Sequence, residues 1–399
     1  MEIEECLKRM LEEIKPTKKT EWVSLEECEG RICSEEILAE NMVPPFPKSA
    51  MDGYAVRAKE VEKATKEEPV VLCVAGELFA GDFGEFPEKE HTAVRVMTGS
   101  YVPKGYDAVI RQEDTDYGEE QVSIYKGVAP YTNYCKAGED IQEGTVVVAA
   151  DTRLTPLHIS LLASLGIWQV KCYVPAQIAI ISTGTELTVP GEKLEKGKIY
   201  TSISYFLSAS IRKQGLLVTG CELCADKEEL LKEKLQKALQ KADMVLTTGG
   251  VSVGKKDILP SVLQSMDAKI LFSRANIQPG TPTIGSVING KPVLSLSGNS
   301  FAAMANFEWY FWPMMAKWMH SDTFLAETAT VELASPYPKT NQVRRMIRAW
   351  SDGTKVTLPT SVHASSVLSN MVECNCFIDL EPQRAVSIGD RVRIRYFKE

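Results

Sequence analysis

The sequence predicts a multidomain α/β chain, and three observations carry that reading. Between residues 177 and 318, apolar strand-like runs alternate with helix-like segments, the pattern of a sheet rich in parallel strands with helices on its faces. Residues 54 to 130 contain only short β-prone pieces between Gly and Pro turns, and strand character returns beyond about residue 321. At 399 residues the chain is longer than one hydrophobic core usually organises, so two to four domains are expected.

The N-terminal stretch MEIEECLKRMLEEI puts Ile3, Leu7, Met10, Leu11 and Ile14 on one stripe, which predicts an amphipathic helix and not a signal peptide. Pro44, Pro45 and Pro47 in AENMVPPFPKSAMDGYAVRA then forbid helix. PVVLCVAGEL, TAVRVMTG, DAVIRQED and QVSIYKGV read as strands of a small β domain. DTRLTPLHISLLASLGI reads as a helix ending at Gly166, and WQVKCYVPAQ links it to the alternating region. There IAIIST, LLVTGCEL, MVLTTGG and AKILFSRA predict strands, and TPTIGSVINGKPVLSLSG a hairpin. SYFLSASIRKQG, KEELLKEKLQKALQKA, a segment from near Asp257 and FAAMANFEWYFWPMMAKWM predict helices. ATVELA, QVRRMIRAW, KVTLP and DRVRIRYF suggest a small terminal β domain.

A net charge of −8 argues against a general nucleic-acid or anionic-membrane binder, which would cluster Lys and Arg. No apolar run approaches the roughly 18 residues of a membrane span. The ten cysteines form one CxxC (Cys221, Cys224) and one CxC (Cys374, Cys376), without the paired spacing of a zinc site, so reduced thiols and a cytoplasmic location are expected.

Three loops at predicted strand ends concentrate glycine with hydroxyl or amide side chains: STGTEL (182–187), TTGGVSVGKKD (247–257) and LSGNSFAA (296–303). Ser182, Thr183, Gly184, Thr248, Gly249, Gly250, Ser252, Gly254, Gly298 and Asn299 would present amides and hydroxyls to an oxyanion. None fits GxxxxGK[ST] or GxGxxG, which weakens nucleoside-triphosphate and NAD readings. Each loop singly also suits tight-turn chemistry, but three at corresponding strand ends favour a ligand site beyond the sheet. Asp257 either caps a helix or binds metal, and Asp52 either shapes an Asx turn or acts in a site. Carboxylates among anion-binding loops call for a shared cation, for which Mg²⁺ is the economical choice.

Taken together, these stretches resemble the molybdopterin molybdenumtransferase (MoeA) family. PPFPKSAMDGYAVRA resembles its SAMDGYA segment, RVMTGSYVPKGYDAVIRQED its MTG–VP–G–DAVV segment and NYCKAGEDIQEGT its GEDI segment. ISTGTEL resembles its STGDEL, TTGGVSVGKKD its SGGVSVG–D loop, and HASSVLSNMVECNCFIDL its C-terminal SG–LSS–ANG pattern. The resemblance implies a MogA-like α/β domain (177–320), an inserted β domain (44–135), an elongated N-terminal α+β dimerisation domain (1–43 with 136–176) and a C-terminal β barrel-like domain (321–399). It implies insertion of molybdate into adenylylated molybdopterin with release of AMP and with Mg²⁺ present. It further implies a homodimer with a cross-subunit site, and the molybdopterin adenylyltransferase as a candidate partner. By position, Asp52, Glu186 and Asp257 would hold the cation or orient water. Thr98, Gly99 and Asp140 fall at or beside the family's functional polar positions.

The chain also departs from the family pattern. QPGTP has Gln278 and Thr281 where the family's K-P-G-K-P has lysines, and Thr185 replaces an acid. Two buried charge-assisted contacts are worth about 1.5–3 kcal/mol each, so their loss implies weaker anion binding and reduced transfer. Lys255 and Lys256 would offset it from another direction if they face the site. Two further readings accommodate the same residues: an altered paralogue that binds molybdopterin or another oxyanion, and a gephyrin-like scaffold.

Overall fold

Near-continuous burial along the central strands of the 177–318 region makes a sheet covered on both faces. A computed structural model of the protein describes residues 1–251, 258–337, 339–360 and 367–398. The chain divides into two units, each described by itself: Met1–Ser34 with Asp151–Thr155 and Lys171–Glu399, and Glu35–Ala150 with Pro156–Val170.

In the first unit, six strands lie side by side in the order Leu217–Cys224, Gln177–Thr183, Met244–Thr248, Lys291–Leu296, Ile284–Ile288, Lys269–Phe272. The first four are parallel, and the last two add antiparallel through the predicted hairpin. Ile178, Ile180, Met244, Leu246, Leu294 and Leu296 face one core with Leu207 and Ile211 of helix Ile203–Lys213 and most of helix Ser300–Trp318. Ala179, Ile181, Val245 and Val293 face another, covered by Leu231, Leu235 and Leu239 of helix Glu228–Lys241 and by helix Leu259–Ser265. The period-2 switch between these sets explains why the strands read as continuous apolar runs.

The N-terminal helix, Ile3–Glu13, buries Ile3, Cys6 and Met10 in the first of these cores, beside Phe272 and Tyr310. Helix Ser300–Trp318 is apolar around almost its whole circumference because sheet, helices and barrel enclose it, as all-round hydrophobicity requires. Beyond it, strands Thr328–Leu333, Arg344–Ser351, Lys355–Thr357, Cys376–Leu380 and Arg391–Tyr396 close into a five-stranded barrel around Val331, Ile347, Ala349, Ile378, Val392 and Ile394. Cys376–Leu380, within the stretch matched only as a motif, is the strand that completes it.

The second unit is built on a five-stranded sheet in the order Ala108–Arg111, Gly53–Val56, Thr92–Val96, Val70–Leu78, Gln121–Ile124. Tyr54, Val56, Leu72, Ala93 and Ile110 fill one face, and Ala55, Val94, Val96 and Val109 the other. Helix Pro156–Ser164 ends as predicted: the Gly166 amide donates to the Ala163 carbonyl with φ +78°, the left-handed conformation of a C-terminal glycine.

All ten cysteines are free thiols. Among the described residues, no helix is long and apolar enough to cross a membrane.

Gly53 has a steric reason inside its sheet. A Cβ there would lie 1.8 Å from the Ile110 carbonyl oxygen on the neighbouring strand. Gly53→Ala should cost more than about 1 kcal/mol, read calorimetrically as a lower melting temperature. An unchanged melt would mean that the 108–111 strand yields without cost.

Candidate functional site

Strands Gln177–Thr183, Met244–Thr248 and Lys291–Leu296 are neighbours and run the same way, so their C-terminal loops emerge side by side. They wall a cavity of about 390 Å³, lined by Thr183, Gly184, Glu186, Thr248–Val251 and Ser297–Ser300. Thr201 and Ser202, before helix Ile203–Lys213, close another side together with Asp226.

Hydrogen bonds fuse the strand ends. The Thr183 hydroxyl donates to the Thr248 carbonyl (3.1 Å), the Thr248 hydroxyl to Ser182 Oγ (2.9 Å), and the Gly249 amide to the Leu296 carbonyl (3.1 Å). Gly249 (φ +85°) and Gly250 (φ +67°) are left-handed, and a Cβ on Gly249 would fall 2.3 Å from the Thr183 carbonyl oxygen. Only glycine turns the chain there. Asn299 caps helix Ser300–Trp318, its Oδ1 accepting from the Ala302 amide at 3.2 Å. Two helix N-termini, at Ile203 and Ser300, therefore meet one cavity, and both favour negative charge.

Two carboxylates share this wall. Both Glu186 oxygens lie within 2.8 Å of where a Gly184 side chain would begin, so the carboxylate folds back over that glycine. Asp226 Oδ2 accepts from the Thr185 amide (3.0 Å) and hydroxyl (2.9 Å). Among the described residues no three His, Cys, Asp or Glu side chains gather as a metal cluster, and the two carboxylates beside this cavity are oxygen donors of the kind a largely hydrated Mg²⁺ accepts.

Gln278 and Thr281 line a different cavity, of about 310 Å³, with Phe301, Tyr337, Arg345 and Arg348. Ser300 borders the first cavity and Phe301 the second, so consecutive residues at the start of one helix serve both. Gly280 (φ +98°) is packed against Asn306, whose Nδ2 donates to the Gly280 carbonyl at 2.8 Å. Arg345 Nη1 donates to Asn341 Oδ1 at 2.6 Å and reaches Gln278 Oε1 at 3.5 Å. Two guanidinium groups thus stand beside the QPGTP segment.

In the second unit, Asp52 Oδ1 accepts from both the amide and the hydroxyl of Thr98, each at 2.7 Å. The Thr98 amide, then its hydroxyl, hold the Asp52 carboxyl below the usual carboxylate range. Gly99 follows in the left-handed conformation (φ +83°), its amide donating to the Ser49 carbonyl at 2.8 Å. Asp140 is exposed on another turn, where its amide donates to the Val43 carbonyl at 3.0 Å. The expected site residues Ser252, Gly254, Lys255, Lys256 and Asp257 lie outside the described residues.

Comparison with known proteins follows this geometry along the whole chain. Residues 1–166 match the MoeA N-terminal region (domain I and II), 179–317 the family described as "Probable molybdopterin binding domain", and 330–397 the MoeA C-terminal region (domain IV). A molybdopterin molybdenumtransferase of Haemophilus influenzae is 34% identical, with 99% of this chain and 98% of that protein aligned. The chain belongs to the molybdopterin molybdenumtransferase family. A Bacillus subtilis molybdopterin molybdenumtransferase is 33% identical over 96% of this chain and 90% of its own length. The crystal structure of the molybdopterin biosynthesis MoeA protein from Pyrococcus horikoshii OT3 superposes with TM-score 0.85 at 28% identity, covering 100% of both chains.

In this molybdopterin molybdenumtransferase family member, the described parts of the three strand-end loops singled out in the sequence line one cavity, and Asp226, Arg345 and Arg348 were not singled out there. Asp226 lies two residues beyond the CxxC of Cys221 and Cys224, outside the glycine- and hydroxyl-rich loops, and the two arginines fall in the strand-like run QVRRMIRAW. The signal that could have found Asp226 is Thr185, a hydroxyl in place of an acid.

Thr98→Val removes one donor from Asp52 and should raise its pKa towards the ordinary carboxylate value, measurable by NMR titration of the carboxyl carbon. The native contact favours the ionised form, so its stabilisation is present above the unfolded-state pKa and fades as pH falls through the depressed one. No change in the titration would show that the backbone amide alone sets the shift.

Proposed function

We propose that the chain is a cytoplasmic molybdopterin molybdenumtransferase that inserts molybdate into adenylylated molybdopterin and releases AMP. One observation carries the reading: three glycine- and hydroxyl-rich loops and two helix N-termini converge on one cavity that also holds two carboxylates. The names of the aligned relatives agree with it.

In this reading the Gly250 and Gly298 amides and the Asn299 side-chain amide bind phosphate oxygens, where preorganised dipoles cost no reorganisation, while Thr183, Thr248 and Gly249, whose donors are used within the rim, hold that rim in shape. Glu186 and Asp226 would hold Mg²⁺, which when bound neutralises phosphate charge and lowers the pKa of water. Thr185 keeps Asp226 in place through its amide and hydroxyl. Asp52 and Asp257 retain their proposed roles in orienting water or the cation, and Thr98, Gly99, Asp140, Ser252 and Gly254 theirs in binding substrate. Arg345 and Arg348 stand where Gln278 and Thr281 withhold positive charge, and they fit a tetrahedral dianion such as molybdate. The same proposal has the chain act as a homodimer with the site shared across subunits. It also keeps 1–43 with 136–176, 44–135, 177–320 and 321–399 as the four domains.

Purified protein mixed with adenylylated molybdopterin, molybdate and Mg²⁺ should release AMP and yield active cofactor. Glu186→Gln and Asp226→Asn should each slow AMP release by about a hundredfold, the loss expected on removing one electrostatic group from a reacting centre. Wild-type rates in both variants would overturn the assignment. Arg345→Ala should raise the molybdate concentration needed for half-maximal rate about tenfold. If Lys255→Ala with Lys256→Ala moves that concentration and Arg345→Ala does not, the compensating charge belongs to the lysine pair.

A further inference from the structure

Another cavity in the first unit differs in kind from the two already described. It encloses about 420 Å³ between helix Ile203–Lys213, helix Ser300–Trp318 and the barrel. Phe206, Met304, Met371, Phe377 and Phe397 form its walls. Aromatic rings and thioethers hold enclosed water poorly and accept a flat apolar body well.

The polar side chains that line it are Ser210, Lys213, Glu308 and Lys398, two of them cationic. Lys213 and Lys398 line the cavity. Burial, and then the neighbouring Arg153, hold the Lys398 ammonium below its ordinary value. Among the described residues, the one acid in the wall is Glu308, 3% exposed, whose Oε2 accepts from the Lys398 amide at 3.1 Å. Burial pushes that carboxyl up to about 7, so near neutral pH it offsets only part of the positive charge. Arg395, with its guanidinium 4.3 Å from the Trp309 ring, adds a further cation close to Glu308.

We propose that this cavity binds a small aromatic monoanion, with its rings against the Phe and Met side chains and its charged group at Lys213 and Lys398. Among the described residues, none that lines it borders the strand-end cavity, so it is a separate site.

Fluorescence titration of the full chain with 8-anilino-1-naphthalenesulfonate tests it. The sulfonate should saturate a single site and bind about tenfold tighter than N-phenyl-1-naphthylamine, the same rings without the charge. Ala209 lies on the exposed side of its helix and lines the cavity, so Ala209→Trp fills the space without entering the core and should abolish binding of both probes. Lys213→Ala combined with Lys398→Ala should erase the tenfold preference and leave N-phenyl-1-naphthylamine unaffected. Equal affinities of the two probes for the wild-type chain, non-saturating fluorescence, or binding that survives Ala209→Trp would each overturn the proposal.

Discussion

The close approach of the Gly249 backbone to the Thr183 carbonyl is the contact on which the strand-end cavity depends. No Cβ fits in that gap, and the same glycine sends its amide to the Leu296 carbonyl. One residue therefore ties three strand ends together, and the parallel register of the sheet is passed directly to the loops beyond it. Gly298 packs against Gly249 from the third loop, where a Cβ would sit 3.4 Å from the Gly249 Cα. Donors fixed in this way need no rearrangement when an oxyanion arrives, which is what makes backbone amides effective in such a place.

Charge is arranged around that geometry in two layers. The helix N-termini and amides supply partial positive charge with no ionisable group, and Glu186 and Asp226 put full negative charge beside them. Left alone these would repel a phosphate, and in the proposed function a shared divalent cation would turn the repulsion into a bridge. The neighbouring cavity uses the opposite solution, with Arg345 and Arg348 facing a segment that has a glutamine and a threonine.

Most of this was legible in the sequence where local chemistry and tertiary role coincide. Alternating apolar runs gave strands, and glycine with hydroxyls marked the loops, because a left-handed turn and a close backbone approach have no other economical residue. The amphipathic stripe of the first helix was clear, but its partner was not: Met10 packs against Phe272 and Gly285, far along the chain. Asp226 escaped for the same reason. Its importance comes from Thr185, forty-one positions earlier, and no periodicity records such a pairing. Arg348 is marked in the sequence only as part of the strand-like run QVRRMIRAW, and it is buried with its guanidinium 4.2 Å from the Phe301 ring.

The helix Ser300–Trp318 has a further bearing on how this chain tolerates change in length. Asn299 fixes its start, Phe301 borders the arginine-lined cavity, and Met304 and Glu308 border the apolar one along the same stripe. Inserting or deleting one residue between Ser300 and Glu308 would rotate everything downstream by about 100° relative to the cap, and no neighbouring side chain could restore both walls. The exposed strap over residues 189–197, by contrast, can absorb extra residues at little cost. Variation in length among chains of this kind should therefore accumulate in the strap, while the spacing from Asn299 to Glu308 stays at nine.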